Sequence, residues 1–227
     1  MENYVWLISI AVVAYIFGSI PIAYFVTRGM TGKDIRMAGS RNIGAMNTYR
    51  LIKAEKSNRL GMAGFALVLV GDMGKGALAL SIAKWLSSLS YDLAFALIIG
   101  SFFVVLGHNY SLFLKFREGG RGLAPLGGVL LYLNPPSFLV ALVTLLLTTF
   151  LVHYLLGGRI NWGKFSEVFS AVGSQIIGRV AGLAFVMVAI YFFSHEIFFP
   201  ILAGIILVLI KHIDRMKVYM REGRTPT

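Results

Sequence analysis

Long runs of apolar residues fill most of this chain, and they constrain its fold more than any other feature. A helix that crosses a bilayer needs about 20 consecutive, predominantly apolar residues. Seven runs bounded by charged or helix-breaking residues are candidate spans: 4–27, 60–86, 93–106, 123–133, 137–156, 176–193 and 197–210. The pattern predicts an all-α integral membrane protein, a seven-span helical bundle in which residues 1–227 form a single transmembrane domain.

The fourth run, 123–133, is too short to cross a bilayer alone and ends at Asn134-Pro135-Pro136. We therefore predict that this span is short or partly re-entrant.

Composition excludes a soluble globular protein, because only 14% of the residues are charged, whereas soluble domains contain about 25%. The chain has no cysteine, which excludes disulfides, a thiol nucleophile and Cys-ligated metal sites.

Basic residues collect in alternate segments between the runs. The segment 28–59 holds eight of them and 107–122 holds three. Others follow the fifth and seventh runs: Arg159, Lys164, Lys211, Arg215, Lys217, Arg221 and Arg224. Because Lys and Arg mark cytoplasmic loops, we predict that the N-terminus lies outside the inner (plasma) membrane and the C-terminus in the cytoplasm. The net charge of +11 then requires no nucleic-acid partner. No basic residue precedes the first run, so we expect it to remain as an anchor rather than to be cleaved as a signal peptide.

The segment 34–50, the first glycine-rich segment, contains more glycine and polar residues than a loop that only sets orientation in the membrane needs. Glycines free the backbone to turn its N–H groups inward, and Ser, Asn and Arg add side-chain donors, a combination suited to phosphate. The candidate binding residues of this segment are Ser40, Asn42, Gly44, Ala45, Asn47 and Arg50. An ordinary positive-inside loop is the alternative, because Gly, Asn and Ser are also common in turns.

A second glycine-rich segment follows the third run and leads into the fourth. It begins with Gly107-His108-Asn109-Tyr110 and ends with Phe116-Arg117-Glu118-Gly119-Gly120-Arg121-Gly122. A glycine-rich turn that opens a helix presents unpaired N–H groups to an anion, and an arginine can bind phosphate bidentately. The candidate binding residues are therefore Gly119, Gly120, Arg121 and Gly122. The alternative is an interfacial hairpin whose glycines only permit the turn, with His108 as a capping or packing residue.

Two further features place ionisable residues in or beside the spans. Asp72 and Lys75 are three residues apart within the second run, so they can pair on one helix face. The two side chains either only neutralise each other's charge, or they support a site. The second reading is favoured by the fact that ionisable residues inside spans usually face a polar interior. His212 follows the last run in a basic stretch that otherwise suits contact with anionic lipid headgroups.

These motifs together identify a resemblance. The chain resembles the membrane-integral acyl-phosphate:glycerol-3-phosphate acyltransferases of bacterial phospholipid synthesis. The matching residues occur in family order: Gly39-Ser40-x-Asn42-x-Gly44-Ala45-x-Asn47-x-x-Arg50, Asp72-x-x-Lys75-Gly76, Gly107-His108, Gly119-Gly120-Arg121-Gly122 and His212. The resemblance implies a seven-helix bundle whose cytoplasmic site transfers an acyl group from acyl phosphate to the 1-hydroxyl of glycerol-3-phosphate, giving lysophosphatidic acid and phosphate.

The resemblance also implies roles for the residues. The phosphate of glycerol-3-phosphate is expected at Ser40, Asn42, Arg50 and Arg121, and the donor phosphate at the backbone amides around Gly44 and Ala45. The departing phosphate can itself accept the hydroxyl proton, so His212 is expected to orient or bind, and Asp72, Lys75 and His108 to support the site. No metal or cofactor is expected, because the basic segments supply the positive charge.

Several positions depart from the family pattern. Arg41 stands where the family usually has Gly, Met46 where it has Thr, Arg121 where it has Lys, and Arg215 where it has Asn. The family's short Ser-containing segment has no evident match between Leu155 and Ser174. The sequence therefore leaves open whether the protein uses a different donor, uses a different acceptor or has lost the activity.

Two other functions fit a basic membrane protein. A transporter or lipid-binding protein for a phosphorylated solute would use similar pockets, but the expected inverted repeat is not evident in the sequence. An acyltransferase that uses acyl-CoA would be expected to carry a His-x4-Asp pair, and no histidine here is followed by such an aspartate.

Overall fold

The computed structural model describes residues 2–88, 92–116 and 119–222. Within those ranges the chain forms ten α-helices, three short 3-10 turns and no strand. The helices are α1 Glu2–Ser19, α2 Ile22–Thr31, α3 Ala45–Glu55, α4 Asn58–Ser87, α5 Leu93–Asn109, α6 Leu123–Leu133, α7 Pro135–Leu155, α8 Phe165–Ser174, α9 Ile176–Phe193 and α10 Phe198–Glu222. The predicted all-helical class is confirmed.

Six segments of the described chain are long and apolar enough to cross a membrane. They are Val5–Thr31, Asn58–Ser87, Leu93–Leu114, Pro135–Leu155, Ile176–Phe193 and His195–Ile213. The remaining apolar helix, α6, has 11 residues, which corresponds to a length of only about 16 Å. The short fourth run is therefore a short helix, and the count of seven spans stays a prediction.

The first predicted span is not one continuous helix. It breaks between α1 and α2 at Ile20-Pro21, where Pro21 precedes the first residue of α2. Proline lacks an N–H group and cannot continue the hydrogen bonding of the preceding helix. The break exposes the last carbonyls of α1 to partners from other helices.

Two helices occur where the sequence analysis placed no span. α3 occupies the second half of the first glycine-rich segment, and α8 lies between the fifth and sixth runs. Neither is long enough to cross a bilayer, since they have 11 and 10 residues. The end of α10 also extends well beyond the predicted limit at 210.

The chain forms two compact units. The first contains Met1–Leu133 and Phe199–Val208, and within it α1 packs on α5, α4 on α6, and α3 on α4. Glycines allow the closest of these contacts: a Cβ atom on Gly18 would lie 2.2 Å from the Val104 carbonyl oxygen, and one on Gly128 would lie 1.8 Å from that of Met73. Small residues at such contacts are typical of helices packed in membranes.

The second unit contains Asn134–Phe198 and Leu209–Thr227, and its main contact is between α7 and α9. The amide oxygen of Asn134 accepts the N–H of Ser137 and caps α7. The Ser137 and Ser194 hydroxyls lie 2.6 Å apart, which ties the start of α7 to the end of α9.

Candidate active site

The loop that precedes α3 in the first glycine-rich segment is anchored to the apolar core of its unit at both ends. Ile35 and Ile43 are buried in a cluster with Val68 of α4. At the start of the segment, Arg36 donates to the carboxylate of Asp34 at 2.6 Å. This hydrogen bond holds the pKa of Asp34 below its ordinary value. The segment is thus a fixed loop rather than a loose connection.

The side chain of Asn47 holds the middle of this loop. Its oxygen accepts the N–H of Ser40 at 3.1 Å, and its nitrogen donates to the carbonyls of Ala38 and Asn42, each at 3.1 Å. Asn47 is 1% exposed. The predicted contact of Asn47 with substrate stays a prediction, and the structure shows that its amide organises the loop backbone.

Two residues of the loop have left-handed backbone, Gly39 at φ +58° and Arg41 at φ +56°. Glycine adopts this region freely, whereas an arginine is strained there. A Cβ on Gly39 would also approach the Asn47 side-chain oxygen to 2.3 Å. Position 41, where the resembling family usually has glycine, is therefore one at which glycine would relieve strain.

The loop ends at the N-terminus of α3, which is suited to an anion. Gly44 is the N-cap residue, no side chain caps this end, and the first turn contains no acidic residue. The first N–H groups of a helix have no partner within it, and the helix dipole is positive there. This helix, missed by the sequence analysis, presents the backbone amides after Gly44 together at one point.

Arg50 lies on the same helix, one turn and a half after Gly44, and is partly buried. Burial lowers the pKa of Arg50 from its ordinary value. A guanidinium nevertheless stays charged at neutral pH, because its ordinary pKa lies far above neutrality. Arg50 therefore brings a permanent, incompletely solvated positive charge to α3.

The last part of the second glycine-rich segment, residues 119–122, packs directly on the end of α5, where the segment begins. The N–H of Gly120 donates to the carbonyl of His108 at 3.0 Å. A Cβ on Gly119 would lie 2.3 Å from the Asn109 carbonyl oxygen, so only glycine allows this approach. Gly122, at φ +81°, turns the chain into α6. Arg117 and Glu118 of this segment lie outside the described residues.

The predicted pair of Asp72 and Lys75 is present and buried in α4. The Lys75 ammonium lies 2.8 Å from Asp72 Oδ1, and both side chains are 5% exposed or less. The same ammonium lies 3.3 Å from Nδ1 of His108. The three residues predicted to support the site thus form one cluster, although that role stays a prediction.

A small, partly open pocket lies beside this cluster. Its polar lining consists of Asp72, Lys75, His108, Ser111, Gly119 and Gly120. Ile43 of the first glycine-rich segment and Ile20 at the helix break lie on its apolar side. Parts of both glycine-rich segments and the buried cluster therefore meet at one cavity.

The other predicted binding residues do not line this cavity. Ser40, Asn42, Arg50 and Arg121 are absent from its walls. The convergence of Arg50 and Arg121 on one pocket stays a prediction. Gly44, Ala45, Asn47 and Gly122 belong to the glycine-rich segments and likewise do not line it.

His212 belongs to the second unit and is fully buried. Its predicted orienting role stays a prediction, and the side chain of Arg215 lies outside the described residues. Among the described residues no group of three His, Asp or Glu side chains could hold a metal ion.

Two serines that close the helix break were not predicted from the sequence. The Ser111 hydroxyl donates to the Ser19 carbonyl at 2.5 Å, and the Ser19 hydroxyl accepts the N–H of Leu112 at 3.3 Å. Both serines are buried. Pro21 was the available signal, because a proline within an apolar run leaves preceding carbonyls that need other donors.

Known proteins resemble this chain over most of its length. A family model described as glycerol-3-phosphate acyltransferase matches residues 8–222. Glycerol-3-phosphate acyltransferase 1 of Dehalococcoides mccartyi is 35% identical over 77% of this chain and 85% of its own length. A glycerol-3-phosphate acyltransferase of Thermus thermophilus is 35% identical over 86% of this chain and 89% of its own.

A solved structure shows the same fold. The crystal structure of PlsY (YgiH), an integral membrane glycerol 3-phosphate acyltransferase in its glycerol 3-phosphate form, superposes with a TM-score of 0.68 at 20% identity. The match covers 96% of this chain and 94% of that one. With a family match over nearly the whole chain, this protein belongs to the glycerol-3-phosphate acyltransferase family.

Proposed function

We propose that this protein uses acyl phosphate to acylate the 1-hydroxyl of glycerol-3-phosphate, releasing lysophosphatidic acid and inorganic phosphate for phospholipid biosynthesis. Membership of the family already makes the chain an acyltransferase of glycerol-3-phosphate. The proposal adds the donor and the hydroxyl position. The related PlsY structures represent a glycerol 3-phosphate form and a lysophosphatidic acid form, which are an acceptor and a product of such a reaction.

The observation that carries the proposal is the uncapped N-terminus of α3 at the end of a fixed, glycine-containing loop. Amides after Gly44 and Ala45 bind the phosphate of the donor there. Ser40, Asn42, Arg50 and Arg121 bind the phosphate of glycerol-3-phosphate. The partly buried Arg50 supports this assignment, because a guanidinium away from bulk water binds phosphate more strongly than an exposed one.

The reaction needs no acyl-enzyme intermediate. Acyl phosphate is a mixed anhydride, so the acceptor hydroxyl attacks its carbonyl carbon and the carbon–oxygen bond to phosphate breaks. The proton of the hydroxyl passes to the departing phosphate. The protein contributes by holding two anions in reacting geometry and by placing positive groups near the developing oxyanion. His212 orients or binds a substrate.

The protein acts as one multi-pass domain in the inner membrane, with α6 as the short fourth of seven spans. Its N-terminus lies outside, and its C-terminus and active site lie at the cytoplasmic face. The distribution of Lys and Arg supports this orientation, because both glycine-rich segments belong to the basic set of loops.

The donor is tested with the purified protein and labelled glycerol-3-phosphate. We expect labelled lysophosphatidic acid with acyl phosphate and none with acyl-CoA. Product formed from acyl-CoA, or from neither donor, would contradict the proposal.

The phosphate site is tested by substituting Arg50 and a matched exposed arginine. Arg50→Ala is expected to lower kcat/KM for glycerol-3-phosphate on the order of 10²-fold, from the loss of a charge-assisted contact. Arg59→Ala removes an exposed arginine at the start of α4 and is expected to leave kcat/KM nearly unchanged. If the two substitutions lowered kcat/KM for glycerol-3-phosphate equally, the assignment of Arg50 to the phosphate site would be wrong.

A further inference from the structure

Asp72, Lys75 and His108 form a buried cluster in the first unit that the proposed reaction does not use directly. Asp72 and Lys75 come from α4, and His108 lies in the last turn of α5. Their exposed fractions are 3%, 5% and 8%. A buried charge requires close partners to be tolerated, so the partners of Lys75 show what the cluster holds in place.

Lys75 binds the broken end of α1. Its ammonium donates to the carbonyls of Ile20 at 2.8 Å and Gly18 at 3.2 Å. The last carbonyls of a helix have no partner within it, and Pro21 prevents the chain from continuing the helix through this point. Lys75 supplies donors for these carbonyls while its charge is balanced by Asp72 at 2.8 Å.

The same ammonium fixes the ring of His108. Nδ1 of His108 lies 3.3 Å from Lys75 Nζ and 3.7 Å from the nearer Asp72 oxygen. An ammonium has protons but no lone pair, so a hydrogen bond between these two nitrogens requires Nδ1 to accept and the ring proton to lie on Nε2. The longer distance to Asp72 is outside hydrogen-bond range.

The opposite edge of that ring faces the second glycine-rich segment. A Cβ on Gly120 would lie 1.9 Å from His108 Nε2, so ring and loop are in direct contact. The backbone of the two residues is also joined, since Gly120 donates its N–H to the His108 carbonyl. A change in the ring's orientation therefore moves the loop.

We propose that Lys75 is a positioning residue, which ties the break between α1 and α2 to His108 and thereby sets the Gly119–Gly120 backbone that receives glycerol-3-phosphate. The inference rests on the proposed function for the identity of the substrate. Its structural part, the tautomer of His108 fixed by Lys75, does not depend on that identity.

The structural part is tested on the wild-type protein by nuclear magnetic resonance. The chain has four histidines, so selective isotope labelling of histidine gives a simple spectrum, and His108→Gln assigns the signal. We expect a protonated Nε2 and an unprotonated Nδ1 at His108. A proton on Nδ1 would overturn the proposal whether or not the protein is an acyltransferase.

The functional part is tested with Lys75→Met and with the double variant Asp72→Asn, Lys75→Met. The single variant leaves a lone buried carboxylate, whereas the double variant removes both charges and is expected to recover most of the thermal stability. We expect the double variant still to show kcat/KM for glycerol-3-phosphate lower on the order of 10²-fold, chiefly through a raised KM, with the KM for acyl phosphate nearly unchanged. Lys84→Met, at an exposed lysine of the same helix, is the matched control.

The outcomes separate the two ideas. If the double variant recovers both stability and the KM for glycerol-3-phosphate, Lys75 only balances charge and the positioning role is wrong. If the wild-type protein forms no lysophosphatidic acid from acyl phosphate, the proposed donor is wrong, while the tautomer measurement still tests whether Lys75 fixes the ring of His108. If the charge variants do not fold, a proton found on Nδ1 of His108 in the wild-type protein still overturns the proposal.

Discussion

At the scale of single residues, the side-chain amide of Asn47 makes several hydrogen bonds to the backbone of the first glycine-rich segment. It accepts from Ser40 and donates to the carbonyls of Ala38 and Asn42 while being almost completely buried. Asn47→Asp keeps the shape but replaces the donating nitrogen with an oxygen, so two carbonyls would face a carboxylate. We expect a loss of about 2–3 kcal/mol in the free energy of unfolding and a large loss of activity.

Thermal unfolding of the purified protein and the acylation assay together check this prediction. The control is Asn58→Asp at the start of α4, where the side-chain oxygen only accepts from the Tyr49 hydroxyl and an aspartate can do the same. Unchanged stability in Asn47→Asp would show that the loop does not depend on this amide.

Arg41 has a left-handed backbone conformation that residues other than glycine do not favour. Its φ of +56° costs an L-residue about 1 kcal/mol relative to glycine. Arg41→Gly is therefore expected to raise the unfolding midpoint by a few degrees. Arg28→Gly, in the last turn of α2, is expected to lower it, because glycine is about 1 kcal/mol less favourable in a helix. Scanning calorimetry of both variants measures the difference in sign.

At the scale of elements, glycines decide how closely α4 can pack on α6. A Cβ on Gly76 would lie 2.0 Å from the Pro125 carbonyl oxygen, a backbone atom that cannot rotate away. Gly76→Ala is expected to push the helices apart and to lower the free energy of unfolding by about 2–3 kcal/mol. Denaturant unfolding in detergent micelles gives the value.

Gly74 supplies the matched control in the same helix, two residues earlier. A Cβ there would meet no atom within 4 Å, and alanine favours a helix over glycine by up to about 1 kcal/mol. Gly74→Ala is therefore expected to be neutral or stabilising. A loss of stability equal to that of Gly76→Ala would mean that general helix effects, not the contact with α6, explain both.

Hydrophobic runs predicted several of the apolar helices closely, because a long apolar run is a local signal. The runs 123–133 and 176–193 coincide with α6 and α9. The break at Ile20-Pro21 and helix α3 were not predicted. Both depend on contacts from distant parts of the chain, such as Lys75 at the break and the α4 surface under α3. Pro21 marks the break in the sequence, but local patterns do not identify these distant partners.

The candidate site was predictable in chemical type more than in geometry. Glycine content and the Asp72–Lys75 spacing led to segments that do meet at one cavity. The structural role of Asn47 was not predictable, since the sequence marks it only as a candidate ligand contact and the structure shows that it also holds the loop backbone. A side chain that satisfies several backbone groups is recognised only when those groups are located.

At the scale of the whole molecule, orientation in the membrane determines whether the site can meet its substrates. Glycerol-3-phosphate is a charged solute of the cytoplasm, so the glycine-rich segments must face that side for the proposed reaction. The eight basic residues in 28–59 favour this orientation, because retention of Lys and Arg in the cytoplasm sets the direction of the neighbouring helices.

The two ends of α4 allow a direct measurement of this orientation. The chain has no cysteine, so Lys56→Cys and Ser88→Cys each introduce a single thiol, at exposed positions on either side of the helix. In intact cells a membrane-impermeant maleimide is expected to label Ser88→Cys and not Lys56→Cys, whereas both react once the membrane is opened. The reverse pattern would place both glycine-rich segments outside the cell, where neither proposed substrate is supplied, and would therefore contradict the proposed function as well as the orientation.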